Sequence, residues 1–389
     1  MVIHTVKPGE TLYKISKTYG VSPTKIIENN GLKHPDRLSV GKKLLILTPT
    51  KSYTVRGGDT LERISNRFGV SERELKRHNP YLSERKLTYA EQVIAIKYDT
   101  PSYTSALFNG YYYKDTPKER LSLALAVADM ITVSAYTVKD GMLKRFFNDS
   151  PVLEAISDAK KSAVMRVYAP ERGEILSKNK DRLISDVIDS AKRGGYSGVA
   201  LSAGNAILTE DGRRLIAEIR ENLNRESLTV TLECDNAVPE IASVADRFVL
   251  QYEKCILDPI PTFDEGEGRI YREYAEKCDP QRTFMDIPSL GYIGGEAASF
   301  DEIDTLAYRY GKEILYDSER MICYFDLIEK NRDTKRAVME SLESIKAKLG
   351  LISSLGFMGM SFDIMRMPVE YLMMATALFA DTYSPSADI

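Results

Sequence analysis

An internal repeat constrains this chain more than any other feature. Residues Val6–Ser16 match Val55–Ser65, 49 positions later, and the register continues without a gap through both copies. Each copy ends in an apolar run, Leu44–Leu47 in the first and Val93–Ile96 in the second. Matching patterns at a fixed offset indicate two copies of one small structural unit.

The pattern within each copy predicts the order β-α-α-β. A short strand is followed by a turn at a Gly-Glu or Gly-Asp pair, and then by a helix whose apolar residues Leu12, Ile15 and Tyr19 recur three or four positions apart. Ser22 and Ser71 are suitable N-caps for a second helix, because a serine oxygen can accept a free N–H of the first turn. The closing apolar run is then the second strand.

These two units resemble the LysM module, which binds N-acetylglucosamine polymers such as peptidoglycan and chitin. The resemblance implies a shallow groove between the first strand-helix loop and the loop before the last strand. It places the following residues there: Gly9, Glu10, Thr11, Leu12, Asn30, Gly58, Asp59, Thr60, Leu61 and Asn79. For the leucines and asparagines, a purely structural role in the turn and helix start is an equally strong interpretation. Two linked weak sites favour a polymeric ligand, since the second binding event becomes intramolecular.

The rest of the chain has a different pattern, with apolar strand-like runs alternating with longer amphipathic helices. Eight such runs predict a (β/α)8 TIM barrel in the α/β class. We expect the modules at 1–49 and 50–98, a linker at 99–106 and the barrel at 107–389. A hairpin before the last strand predicts a small α+β insertion at about 313–330.

The barrel resembles glycoside hydrolase family 18, on the basis of Leu250–Glu253 in its sixth strand and Met285–Tyr292 in its seventh. LysM modules fused to such a barrel look most like the spore-associated LysM glycosidases of endospore-forming bacteria, which act on cortex peptidoglycan. The resemblance therefore implies a peptidoglycan or other N-acetylglucosamine-containing ligand, and location in the spore cortex or coat or in the cell wall.

The acidic motif of that family is missing from the fourth strand. The family carries D-x-x-D-x-D-x-E there, whose last glutamate is the proton donor. The corresponding positions here are Ser197, Ala200, Ser202 and Gly204. The family also places a tryptophan at the end of the last strand, whereas this chain contains no tryptophan. Both losses favour an inactive barrel.

Other residues near predicted strand ends are candidates for sugar contacts or for a relocated acid, because barrel active sites form at that face. They are Tyr112, Tyr136, Glu233, Tyr252, Glu253, Asp286 and Asp363. For each carboxylate the simpler interpretation is a hydrogen bond to loop backbone, and for each tyrosine it is packing with a bonded hydroxyl.

Two functions from different classes remain open. The first is a non-catalytic peptidoglycan-binding protein with a degenerate glycosidase barrel. The alternative is an active glycoside hydrolase that cleaves N-acetylglucosamine linkages with a relocated acid such as Glu233 or Glu253. A weaker third idea is docking to spore-coat proteins through a methionine-rich end, although core filling explains those methionines more simply.

Composition limits the other partners. A net charge of −3 provides no basic field, which argues against nucleic acid. The four cysteines have no C-x-x-C spacing and all three histidines lie near the N-terminus, so we expect no metal and no cofactor. The N-terminus lacks the pattern of a secretory signal, and no run is long enough for a membrane helix, so we expect no membrane insertion. The missing signal fits a plain cytosolic protein as well as synthesis in the mother-cell cytoplasm, and the resemblance to spore-associated glycosidases implies the latter.

Overall fold

The computed structural model describes most of the chain, including both repeats and all eight barrel strands. The described residues are 1–82, 92–98, 100, 103–169, 180–202, 209–234, 243–253, 255, 257, 259–328 and 334–379.

Each repeat folds as predicted, into two helices beside a two-stranded antiparallel sheet. The elements of the first are β1 (Val2–Thr5), α1 (Leu12–Tyr19), α2 (Pro23–Asn30) and β2 (Lys43–Ile46). Those of the second are β3 (Pro49–Thr54), α3 (Leu61–Phe68), α4 (Glu72–His78) and β4 (Val93–Tyr98). Ser22 and Ser71 cap α2 and α4 by accepting from the backbone N–H three residues on, which confirms both predicted helix starts.

The barrel begins after β4, and five helices lie between its first seven parallel strands in the described part of the chain. The strands are β5 (Leu107–Tyr112), β6 (Met130–Lys139), β8 (Ser162–Tyr168), β9 (Gly198–Ser202), β10 (Thr229–Cys234), β11 (Arg247–Leu250) and β12 (Thr283–Asp286), with β7 (Met142–Arg145) forming a hairpin on β6. The helices are α5 (Lys118–Val127), α6 (Ser150–Asp158), α7 (Lys180–Gly194), α8 (Glu210–Arg225) and α9 (Arg269–Lys277), and a π-helical turn at Asp264–Gly268 precedes α9.

A separate sheet is added between β12 and the last barrel strand, and it is larger than the sequence predicted. Its elements are β13 (Gly291–Ile293), β14 (Glu296–Ala298), α10 (Phe300–Arg309), β15 (Leu315–Asp317), β16 (Ile322–Ile328) and β17 (Thr334–Glu340). The predicted hairpin is β15 and β16, but the five-stranded sheet runs in the order β14-β13-β17-β16-β15. The added sheet therefore spans 291–340 rather than about 313–330. Strands of three residues are too short to show an alternating pattern.

The last barrel elements are α11 (Leu342–Ser354), β18 (Gly359–Asp363) and α12 (Val369–Leu378). Strand β18 pairs in parallel with both β12 and β5, and β5 pairs with β6. These pairings close the sheet, which confirms the predicted eight-stranded (β/α)8 barrel.

The barrel interior has an apolar layer below and a polar layer above. The apolar layer is a cluster of Met130, Val164, Ala200, Val249 and Phe284. Two residues further along the same strands lie Thr132, Arg166, Ser202 and Asp286. Because alternate strand residues share one face, the polar layer lies inside the barrel at its C-terminal mouth.

Both repeats pack directly on the barrel wall. Leu45 and Leu47 of the first repeat and Ala95 and Tyr98 of the second belong to the same hydrophobic core as the barrel helices. The predicted linker also contacts the barrel, since Tyr103 forms a parallel β-bridge with Phe379 after α12. Within the described residues, no helix combines the length and the apolar character needed to cross a membrane.

Candidate functional site

The described positions that were aligned with the acidic motif from sequence alone carry no carboxyl group. Ser197 donates to the carbonyl of Ala163 at 3.0 Å, and Ala200 is fully buried in the apolar layer. Ser202 ends β9 at the mouth, where its hydroxyl oxygen accepts from Arg166 Nη2 at 3.3 Å. Gly204 lies outside the described residues. None of the three described positions therefore carries a side chain that could act as the catalytic proton donor.

An ion pair spans the space in front of β9. Arg166 on β8 contacts Glu233 on β10 through Nε at 2.8 Å and Nη2 at 2.7 Å. Burial by itself would lower the pKa of Arg166, but the Glu233 carboxylate outweighs burial and raises that pKa. Because both oxygens of Glu233 accept guanidinium hydrogens, the geometry does not suit Glu233 to donate a proton to a substrate.

Asp286 is in a different environment from Glu233. It ends β12 and accepts from the Ser361 hydroxyl at 2.6 Å, while no described cation forms a salt bridge with it. Burial raises the pKa of Asp286 to about 7, and the hydrogen bond from Ser361 only partly opposes this shift. Desolvation without a paired cation is the usual way to keep a carboxyl protonated near neutral pH.

The other two carboxylate candidates contact neighbouring loops. Asp363 accepts from the backbone N–H groups of Met365 and Arg366 at 2.8 and 3.1 Å, as the simpler interpretation predicted. Glu253 shares a hydrogen bond with the Tyr292 hydroxyl of the added sheet. Burial raises the pKa of Glu253, and this hydrogen bond offsets only part of the shift.

The three predicted tyrosines lie beside the mouth rather than in its centre. The Tyr112 ring packs 6.2 Å from the Phe147 ring, and Tyr136 is buried with its hydroxyl bonded to Asp149. The Tyr252 hydroxyl lies close to Gly266 in the π-helical turn. These contacts fit the simpler interpretation, in which the three tyrosines pack against neighbouring side chains and backbone.

Sequence reasoning missed the residues at the centre of the mouth. Tyr111 is 3% exposed, and its buried hydroxyl has no hydrogen-bond partner among the described residues. The Arg166 guanidinium lies 5.5 Å from the Tyr111 ring. Tyr113 interacts electrostatically with the same ion pair and with Asp286 and Asp363. Strand parity could have identified Tyr111 and Tyr113, because they alternate with Tyr112 and so point to the opposite face.

In the two repeats, the predicted groove residues form matching sets of internal contacts. Thr11 and Thr60 are N-caps that accept from Lys14 N and Arg63 N. Glu10 accepts from Lys7 N and from His4 at 2.8 and 2.9 Å, whereas Asp59 accepts from Arg56 N and the Tyr53 hydroxyl, both at 2.8 Å.

The side-chain amides of the two asparagines are engaged in hydrogen bonds to the backbone of their own domain. Asn30 donates to Ile26 and Leu45 carbonyls at 2.8 Å and accepts from Leu45 N at 2.6 Å. Asn79 repeats this arrangement with Leu75 and Ala95. Gly9 and Gly58 are exposed, whereas Leu12 is buried and Leu61 half-buried. Exposed backbone and the threonines are thus the accessible parts of each predicted groove.

Among the described residues, no cluster of His, Cys, Asp or Glu has an arrangement that could hold a metal ion. The mouth combines one arginine-glutamate pair, one half-buried carboxyl without a described salt bridge, and a tyrosine hydroxyl without a described partner. Together they form a polar recess able to hydrogen-bond a polyhydroxylated ligand.

Comparisons with known proteins agree with both parts of the fold. The family model described as LysM domain matches residues 4–47 and 53–97. No curated protein sequence gave a match. The crystal structure of the spore cortex-lytic enzyme SleL from Bacillus megaterium QM B1551 is 21% identical, with a TM-score of 0.72, covering 98% of this chain and 99% of that one.

The Bacillus cereus SleL structure is 19% identical with a TM-score of 0.72, covering 98% of this chain and 100% of that one. A chitinase structure from Chromobacterium violaceum is 14% identical with a TM-score of 0.64, covering 70% of this chain and 98% of that one. At these identities the likeness establishes the fold. The chain thus contains two LysM domains, followed by a (β/α)8 barrel with the fold of spore cortex-lytic enzymes and chitinases.

Proposed function

We propose that this protein binds N-acetylglucosamine-containing polymers of the cell wall or spore cortex and does not hydrolyse them. The observation that carries this proposal comes from Ser197 and β9. The described positions aligned with the acidic motif of glycoside hydrolase family 18 hold serine, alanine and serine. The two LysM domains support the choice of ligand, and the likeness to SleL supports the choice of wall or cortex.

The barrel mouth supports a binding role in this proposal. The Arg166–Glu233 pair fixes a guanidinium beside Ser202 and Ser134, and it lies at the centre of the polar recess. An ion pair held by two short hydrogen bonds is preorganised, so a ligand can bond to it without paying to order it. The mouth then acts as a lectin-like site.

An active hydrolase is the second candidate, and one observation favours a specific acid for it. Of the described carboxyls at the mouth, Asp286 combines a pKa near 7 with the absence of a salt bridge. A general acid works best when its pKa lies near the working pH. If the barrel hydrolyses glycan, we expect Asp286 rather than Glu233 or Glu253 to supply the proton.

The test combines binding and hydrolysis on the same substrates. Purified protein is incubated with spore-cortex and vegetative peptidoglycan, and pull-down is measured alongside release of reducing ends across acidic to alkaline pH. We expect retention on the glycan without new reducing ends, both for the unmodified protein and for Asp286→Asn. Hydrolysis that is lost in Asp286→Asn would instead establish the second candidate.

Spore-coat partners stay a prediction. Among the methionines of the C-terminal end, Met360, Met367, Met373 and Met374 are at most 2% exposed. They fill the core, so they offer no apolar patch on which a coat protein could dock.

A further inference from the structure

A large cleft lies between the first LysM domain and the rim of the barrel. Its volume is about 1120 Å3, and it is open to solvent. One side is the loop after α2, with Lys33 and His34, and the other side is formed by the starts of α10 and α12. A volume of this size accommodates several sugar rings, since ordinary small-molecule sites occupy roughly 300–1,000 Å3.

The walls of the cleft are fixed relative to each other. Lys42 forms a salt bridge with Asp304 of α10 at 2.8 Å, and Ile314 N donates to the carbonyl of Val40 at 2.9 Å. On the other side, Gly31 packs so closely on Val369 that a Cβ would lie 2.7 Å from its side chain. The cleft therefore exists before a ligand arrives, which reduces the entropy cost of binding.

The lining offers an aromatic surface beside fixed polar groups. The Phe300 ring lines the cleft and is held edge-on against Tyr371, with ring centroids 5.4 Å apart. Arg120 is oriented by the Ile364 carbonyl at 3.0 Å and by the Met367 carbonyl. Glu370 lines the same space and forms no side-chain hydrogen bond with another described residue. Apolar faces with a few oriented polar groups suit the two sides of a sugar ring.

The cleft lies beside both sites already described. Arg366 lines it and also pairs at 3.3 Å with Asp363, which ends β18 at the barrel mouth. The loop after α2 is in turn one wall of the groove predicted for the first LysM domain. One loop therefore separates the cleft from the mouth, and one loop separates it from the groove.

We propose that this cleft is a further carbohydrate site, which takes an oligosaccharide of β-linked N-acetylated amino sugars and leads it from the first LysM domain to the barrel mouth. The proposal rests on the proposed function for the identity of the sugar. Two sources share this chemistry, a neutral chitin-type oligomer and a peptidoglycan strand whose muramic residues carry carboxylates.

A tryptophan reporter tests the cleft directly, because the chain contains no tryptophan of its own. Glu296 is exposed and lines the cleft on the side of the added sheet, away from the LysM groove. In Glu296→Trp we expect the emission to shift when chitin hexasaccharide or a muramic-acid-containing tetrasaccharide is added. Tyr308→Trp is the matched control, since Tyr308 is 49% exposed on α10 and does not line the cleft.

A second variant measures the contribution of the lining. Adding Glu370→Ala to the reporter should raise the apparent dissociation constant about tenfold, as expected for the loss of one hydrogen bond to the ligand. A response to only one of the two sugars still supports the cleft and identifies the source.

The proposal is overturned if the reporter stays silent with both sugars while the same protein is retained on peptidoglycan, because the LysM domains then bind glycan without the cleft. Failure of the unmodified protein to bind any glycan would overturn the proposed function instead. The two failures are therefore distinguishable.

Discussion

The two LysM domains have the same internal structure but attach to the barrel in different ways. Both use a capping threonine, an acidic turn residue and a buried asparagine with equivalent hydrogen bonds. The first domain is attached by two partly buried lysines, Lys42 with Asp304 and Lys43 with Glu343. The second is attached by two arginines of α4, Arg73 and Arg77, which share Asp129, and Arg77 is 1% exposed.

The comparison shows that repeat residues fold the domain, whereas residues outside the repeat pattern dock it. Arg77 corresponds to Glu28 across the 49-residue offset, so the two positions carry opposite charges. Arg77 donates to the Val127 carbonyl at 3.1 Å and to Asp129 at 2.8 Å. The Glu28 side chain pairs with Lys25 on its own helix, and its backbone carbonyl accepts from the Tyr81 hydroxyl at 2.7 Å.

The largest expected effect is the loss of this buried arginine. Arg77→Ala should destabilise the protein by about 3–5 kcal/mol, since it empties a buried site against the Phe108 ring and removes a charged hydrogen bond. Arg73 still pairs with Asp129 in this variant. Glu28→Ala, at the matching repeat position, should cost no more than about 1 kcal/mol because its salt bridge is partly exposed. Urea unfolding measures both, and equal losses would show that Arg77 does not dock the second domain.

A smaller effect is expected where the first domain meets the added sheet. Gly41 has φ +84°, and a Cβ there would lie 1.9 Å from the Ile314 carbonyl oxygen. Gly41→Ala should therefore cost about 2–4 kcal/mol from left-handed strain together with overpacking.

Gly20→Ala is the matched control for that variant, because Gly20 has φ +64° but open space around a Cβ. It should cost only the strain, about 1–2 kcal/mol. Thermal unfolding compares the two variants. A Gly20 variant as unstable as the Gly41 variant would mean that the contact with Ile314 adds nothing.

The smallest effect should be similar in both domains, present at neutral pH and lost in acid. The Lys7 N–H lowers the pKa of Glu10, and the Arg56 N–H followed by the Tyr53 hydroxyl lowers the pKa of Asp59. A carboxyl whose pKa is lower in the folded state stabilises the fold above its unfolded pKa, about 4, and loses that contribution as pH falls through the folded value.

Glu10→Gln and Asp59→Asn should therefore be slightly less stable than the unmodified protein at neutral pH and equal to it in strong acid. Urea midpoints measured from neutral to acidic pH check this expectation. A difference that persists in strong acid would assign the loss to packing rather than to the carboxylate charge.

The sequence predicted the local architecture well because local patterns carry it. The repeat, the serine caps and the eight alternating strands depend on residues close together in the chain, and the structure confirms them. The added sheet was underestimated because β13 and β14 have three residues each, and β13 pairs with β17, more than forty positions later in the chain. Pairing over that distance leaves no periodic signal.

Sequence alone also determined that β9 lacks acids, since side-chain identity needs no coordinates. Only the tertiary structure decided what the remaining polar residues do. Three strands bring Arg166, Glu233 and Ser202 together, so that Glu233 becomes half of an ion pair while Asp286 remains an unpaired carboxyl. The physical reason is that desolvation and charge pairing depend on neighbours in space, and barrel closure chooses those neighbours from distant parts of the chain.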